Sequence, residues 1–314
     1  MKKKTKRKLV YGSIAVLGAV AVTMVSAAAV TAVKRTKTNA PETADVAIEA
    51  QLGTFVVDQG PEDRDIDFEK ELKPDIDEII KDIKSRCGGE WSVYVYVPAT
   101  EDTLSINQKK MQAASVIKLF VMGAVYEEYD ALKKDYEWTD IDELIESMIT
   151  ISDNEAADQL VLMLGRGDAV SGRKKVNDYC KKLGLQNTSM DRMMGDDNIL
   201  SDNYTSTEDT GIFLSMILKG ELPESKMMLK YLQEQTRTTK IPEGLPNNVT
   251  TANKTGELDD VQNDAAIVFA GRPYIICVMS DGVGDYQPPI DAITDISKTT
   301  YNYLAPKLVS DDAD

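Results

Sequence analysis

Apolar and polar positions alternate along the chain with three distinct rhythms. From Pro74, Ile76, Ile79, Ile80 and Ile83 recur at helical spacing on one face, and Cys87-Gly88-Gly89 stops the run. The β-branched and aromatic stretch WSVYVYVP (91–98), a polar turn at Thr100-Glu101-Asp102 and LSIN (104–107) predict a strand hairpin. From Ala113 to about Gln235 the period is helical or loop-like throughout, with Ile141, Leu144, Ile145, Met148 and Ile149 sharing one face. Strands return in VTTANKTG (249–256), AAIVFA (265–270) and YIICVMS (274–280), the last two joined by Gly271-Arg272-Pro273. An amphipathic helix then covers roughly Ile290 to Leu304.

Adjacent antiparallel strands need no crossover helices. The predicted fold class is therefore α+β: one five-stranded antiparallel sheet built from both chain ends, with the terminal helices on one face. The middle block forms an all-helical lobe, and the cleft between lobes is the expected site.

The first residues follow another pattern. MKKKTKRK holds six positive charges in eight residues, and Leu9 to Val33 then runs 25 residues without a charge. A cleaved signal peptide has an apolar stretch of about 7–15 residues, whereas a spanning helix needs about 20. The length favours an uncleaved signal-anchor over residues 1–35, with cleavage near Ala27-Ala28-Ala29 as the alternative that would secrete the protein. The basic cluster would stay cytoplasmic and the remainder lie outside the cell. Residues 36–67 read as an acidic, self-repelling linker, 68–308 as the catalytic domain and 309–314 as an acidic tail. Between Glu42 and Glu78 thirteen acidic residues face three basic ones.

Composition removes several chemistries. The chain contains no histidine, which excludes Ser-His-Asp and Cys-His catalysis and HExxH zinc sites. A hydrolysis near neutral pH must then use lysine, carboxylate or tyrosine as its base. A net charge of −16 disfavours nucleic acid as a partner. Cys87, Cys180 and Cys277 show neither C-x-x-C nor metal-ligand spacing and read as buried free thiols; no metal or cofactor is expected.

Three short segments carry chemistry. Ser115-Val116-Ile117-Lys118 puts a hydroxyl and an amine on one helical face inside an apolar run. Desolvation there lowers a lysine pKa, and a serine at the helix start meets free N–H groups. Ser171-Gly172-Arg173-Lys174 has the same spacing, but its polar setting marks a solvated helix surface. Ser152-Asp153-Asn154 follows; by itself Ser152-x-x-Glu155 reads as a capping box for the helix running to Leu164. Lys254-Thr255-Gly256 ends a strand, where glycine marks close approach of another backbone or a ligand.

Ser-x-x-Lys, Ser-Asp-Asn and Lys-Thr-Gly in this order make the chain resemble the serine β-lactamase/D,D-peptidase superfamily, most closely its class A branch, over roughly Phe68 to Leu308. ESMITISDNEAADQL, NTSMDR, TSTEDTGIFLSMILKGEL and LPNNVTTANKTG support the resemblance. It implies catalytic roles for Ser115 as acylated nucleophile, Lys118 as its base, Ser152 as proton relay to the leaving nitrogen and Lys254 as the group tuning it. Asn154 would bind the substrate's amide side chain, and Thr255 with Lys254 its carboxylate. The backbone N–H groups of Ser115 and Glu257, the residue after Gly256, would hold the oxyanion.

Departures from the class A pattern shape the expected activity. After Asp191-Arg192, Asn198 falls where the Glu-x-x-Leu-Asn loop has its asparagine, but Met194 takes the place of the glutamate that activates the deacylating water. Asp196 or Asp197 would substitute only if the loop shifts register. The Ser115-to-Ser152 interval is short for the class, implying a trimmed lobe. Gln262-Asn263-Asp264 stands where many members carry a carboxylate-binding arginine. The leading expectation is a serine β-lactamase-like hydrolase, monomeric, acting on a small β-lactam, with weak deacylation and a membrane tether. The alternatives are a D-Ala-D-Ala peptidase of penicillin-binding type and a sensor domain that β-lactams merely trap.

Overall fold

The computed structural model describes residues 66–196 and 201–306. The expected anchor, nearly all of the linker, the acidic tail, Asp197 and Asn198 lie outside the described residues. Among the described residues no helix is long and apolar enough to cross a membrane.

After a π-helical turn at Phe68–Leu72, helix α1 spans Lys73–Cys87 and ends where Gly88 takes φ 70°. Strands β1 (Glu90–Val97) and β2 (Asp102–Ile106) form the predicted hairpin, with Val95 opposite Leu104. The short β3 (Met111–Gln112) leads through a 3₁₀ turn, Ala114–Ile117, into α2 (Lys118–Glu127). The helical lobe continues with α3 (Tyr129–Asp135), α4 (Ile141–Thr150), α5 (Asn154–Leu164) and α6 (Ala169–Lys182). It then passes β4 (Tyr204–Thr205) and closes with α7 (Thr207–Leu218) and α8 (Ser225–Gln233). Strands β5 (Thr250–Leu258), β6 (Val261–Phe269) and β7 (Tyr274–Asp281) return to the sheet, and α9 (Gln287–Leu304) ends the fold.

The sheet has five strands, antiparallel at every pairing, as the pattern predicts, and the structure supplies their order, β2-β1-β7-β6-β5. One element departs from the prediction. The middle block is not wholly helical, because β4 pairs with β3 through Met111↔Thr205. A two-residue ladder is too short to impose a period of two on the sequence.

Two hydrophobic cores lie on opposite faces of this sheet. Val93, Val95, Ile276 and Val278 pack with Ile76, Ile80 and Ile83 of α1 and Ile293 and Ile296 of α9. The alternate positions Tyr94, Ile275, Cys277, Ala265 and Ile267 face the helical lobe with Phe120, Leu160, Phe213 and Leu229. A sheet covered on both faces reads as an unbroken apolar run, which is why YIICVMS shows no alternation. Helix α2 is buried on every side from Lys118 to Tyr126, so its apolar character also has no polar stripe.

Candidate active site

The turn that presents Ser115 is held from three directions. Ala113 N donates to Asn203 O at 2.8 Å, and Asn263 Nδ2 donates to Gln112 O at 2.9 Å and Ala113 O at 3.2 Å. Gly256 lies against the same turn: a Cβ there would come 2.7 Å from Ala113 O and 3.1 Å from Val116 N. The glycine is thus required for backbone approach, and it lies inside β5 rather than at a strand end. Ala114, just before Ser115, adopts φ 46°, a left-handed conformation that side chains disfavour. Ser115 therefore sits in a 3₁₀ turn, one turn ahead of the α-helix proper.

Lys118 points away from solvent and into a set of oxygens. Its Nζ lies 3.2 Å from Ser115 Oγ, 2.6 Å from Ser152 O, 3.2 Å from Ser152 Oγ and 2.6 Å from Asn154 Oδ1. None of these partners is a carboxylate, so little offsets the cost of burying the charge. Burial, and then the guanidinium of Arg237, bring Lys118 down to about 8, while Asp153 and Asp158 pull the other way. Lys254, also fully buried, donates to Ser152 Oγ at 2.9 Å and Thr255 O at 3.0 Å. Burial, then Lys118 and Arg237, hold it well below the ordinary lysine value. Ser152 Oγ therefore stands between two ammonium groups that each have reason to shed a proton.

Ser152 is free for this role because it is not the helix cap. Asp153 caps α5, its Oδ1 accepting from Glu155 N at 2.8 Å and Ala156 N at 3.1 Å. The capping-box reading of Ser152 and Glu155 is thereby corrected. Ser152 instead adopts φ 64°, which turns its side chain toward the lysines. Of the other Ser-x-x-Lys match, Ser171 and Lys174 are both exposed on α6, and Lys174 pairs with Asp178 at 2.5 Å.

At the far end of β5, Thr255 is buried and two basic residues stand nearby. Arg237 Nη1 lies 3.3 Å from Glu257 Oε2, and the buried Lys240 Nζ lies 3.0 Å from Glu257 Oε1. Asp264, opposite Thr255, is buried as well and accepts from Ile241 N at 3.0 Å and Asn253 Nδ2 at 3.1 Å. Burial pushes the Asp264 carboxyl up, with Lys240 opposing. The position where an arginine was missed is thus filled by a structural carboxylate, and Arg237 supplies a guanidinium from another segment. Sequence reasoning passed over Arg237 and Lys240. Their signal was two basic residues shortly before Lys-Thr-Gly in a strongly acidic chain.

A third residue that sequence reasoning missed is Asp158, one turn beyond Asn154 on α5. Its carboxylate accepts from Met194 N at 2.6 Å and Gly195 N at 2.9 Å, fastening the loop that carries Met194. The Met194 side chain meets Asn203, whose Nδ2 lies 3.6 Å from Met194 Sδ, while Asp196 is exposed. Among the cysteines, Cys180 and Cys277 are buried free thiols as expected, whereas Cys87 is only partly buried.

Comparison with known proteins accords with this geometry. A sequence profile of the β-lactamase enzyme family matches residues 71–139 and 132–304. A sequence search of curated proteins finds no match. Among solved structures, a point variant of PBP-A in an acyl-enzyme complex with penicillin G is similar, with a TM-score of 0.65 and 22% identity over 75% of this chain and 97% of that one. A β-lactamase from Sphaerobacter thermophilus DSM 20745 gives a TM-score of 0.64 and 22% identity, covering 78% of this chain and 99% of the other. A variant of the last common ancestor of Gram-negative class A β-lactamases gives 0.64 and 19%, covering 74% and 99%. At these identities the structural neighbours speak for the fold, and the profile match for the family. The chain belongs to the β-lactamase enzyme family.

Proposed function

We propose that this protein is a serine hydrolase that opens the amide of a β-lactam through an acyl-Ser115 intermediate and releases the acyl group slowly. The observation that carries the reading is the continuous contact from Ser115 Oγ through Lys118 Nζ and Ser152 Oγ to Lys254 Nζ. In its neutral form Lys118 accepts the Ser115 proton as Oγ attacks the carbonyl carbon. The backbone N–H groups of Ser115 and Glu257 receive the oxyanion, an arrangement in which each donor is worth about 10²–10³ in rate. Ser152 Oγ then passes a proton to the leaving nitrogen and is resupplied by the adjacent lysines. Asn154 and Thr255 hold the two ends of the substrate.

Deacylation needs a base for water, and a Met194 thioether cannot accept a proton. That same residue favours a second reading, a peptidase acting on D-Ala-D-Ala ends, in which a β-lactam is a trapped analogue. Intact-mass measurement after incubation with benzylpenicillin separates these readings. A transient adduct with released product supports the hydrolase, and a long-lived adduct with cleavage of a D-Ala-D-Ala peptide supports the peptidase. A lasting adduct without peptide cleavage means a sensor. Ser115→Ala is expected to form no adduct, and an adduct in that variant overturns the nucleophile assignment. Tethering through residues 1–35 belongs to the same proposal, supported by the basic cluster and the 25-residue uncharged run. Retention of the full chain in alkali-washed membranes tests it.

A further inference from the structure

The chain places an anion of its own beside the seat that the reading above gives to the substrate's carboxylate. Alternation along β5 turns Thr255 and Glu257 to the same face, roughly 7 Å apart along the strand. Both Glu257 oxygens are engaged: Lys240 Nζ lies 3.0 Å from Oε1, while Arg237 Nη1 and the Tyr286 hydroxyl donate to Oε2, each at 3.3 Å. These partners differ in their freedom. Lys240 is fully buried and also donates to Asn263 O at 3.1 Å, so it is part of the scaffold. Arg237 is 47% exposed and reaches Glu257 from the solvent side, so it is the group that an arriving anion would recruit. A carboxylate docking at Thr255 finds that guanidinium already matched by a charge of its own sign.

We infer that Glu257 is a specificity residue, occupying Arg237 and Lys240 in place of a substrate carboxylate, so that the cleft takes acyl donors with a neutral leaving end at least as well as free acids. This rests on the acyl-Ser115 reading for its placement of the carboxylate. The substrate class it points to is an amide whose neighbouring carboxyl is amidated, esterified or absent. A free acid gains little from Arg237 until Glu257 loses its charge.

Acylation of the protein by benzylpenicillin and by its methyl ester, followed by intact mass, measures the acid-to-ester rate ratio. Glu257→Gln keeps the side chain's shape and is expected to raise the ratio about tenfold, the worth of one charged contact. Arg237→Gln in the native background, a change at an exposed side chain, is expected to leave the ratio within about threefold. In the Glu257→Gln background the same change removes the gain. An unchanged ratio in Glu257→Gln, or a tenfold loss of acid preference on Arg237→Gln alone, overturns the inference. Titration calorimetry of the two compounds in a Ser115→Ala background reads the same preference as a ratio of dissociation constants. If no adduct ever forms but that ratio shifts as expected, the acyl-serine reading falls and the role of Glu257 stands.

Discussion

Acylation by a lysine base has a pH dependence that the surroundings of Lys118 set. With its pKa brought from 10.5 to about 8, the neutral fraction of Lys118 at pH 7 is about one in eleven, against about one in 3,000 for an ordinary lysine. These surroundings, burial first and Arg237 second, thus raise the population of competent base about 300-fold, corresponding to about 3 kcal/mol. Single-turnover rates of adduct formation with benzylpenicillin, measured from about pH 5.5 to about pH 10, are expected to rise about tenfold per unit and flatten near pH 8. Arg237 is the second cause of the depression, so Arg237→Gln moves the step to higher pH. Asp158 opposes it, so Asp158→Asn moves the step lower. The same shift acts on stability with a definite sign. Between about pH 8 and 10.5 the unfolded chain holds a proton on this lysine that the native state lacks, so stability rises with pH across that window. Below it the buried charge costs about 3 kcal/mol, and Lys118→Met is expected to flatten this part of the denaturation profile. A rate that is level from pH 5.5, or still climbing past pH 10, or a step that neither substitution moves, would refute the lysine base.

Gly256→Ala forces a Cβ to within 2.7 Å of Ala113 O, where backbone must give way. Displacement of the Ser115 turn is expected to cost at least about tenfold in acylation and a few degrees in Tm, read by adduct kinetics and calorimetry. Met194→Glu puts a carboxylate on a loop already fastened by Asp158 to α5, and adduct lifetime is expected to shorten about tenfold or more. An unchanged lifetime counts against the loop alignment. Asp153→Ala removes the cap of α5 and is expected to cost about 1 kcal/mol in urea unfolding, with a smaller effect on acylation than Ser152→Ala.

The five strands, both terminal helices and the helical lobe were legible because each obeys a long apolar period or a strand-length run. The contact between Ser115 and Lys118 was legible because an apolar setting distinguishes Lys118 from Lys174 at identical spacing. What failed to show were contacts that depend on loops. Asp153 and Ser152 are both good cap residues, and only the backbone angle at Ser152 decides between them. Arg237 and Asp158 act through Glu257 and Met194, respectively 20 and 36 residues away, and no local period records such a partner. Asp264 read as the absence of an arginine, whereas its burial next to Asn253 and Lys240 is a positive structural demand.

The left-handed backbone at Ser152 connects these observations to the chemistry. As a cap, its hydroxyl would accept from the first-turn N–H groups of α5 and be lost to the lysines. Asp153 takes that duty, and Ser152 is left at φ 64°, a conformation that costs a side-chain-bearing residue about 1–2 kcal/mol. Two substitutions separate the strain from the hydroxyl. Ser152→Ala deletes the hydroxyl and keeps the strain, whereas Ser152→Gly deletes both. The glycine variant is therefore expected to be the more stable by about 1 kcal/mol in urea unfolding, although glycine adds disorder to the unfolded chain. Both variants should be equally impaired in acylation, because both lose the link between Lys118 and Lys254. If the alanine variant proves the more stable, the strain is not where the backbone angle puts it, and the division of labour between Ser152 and Asp153 must be explained otherwise.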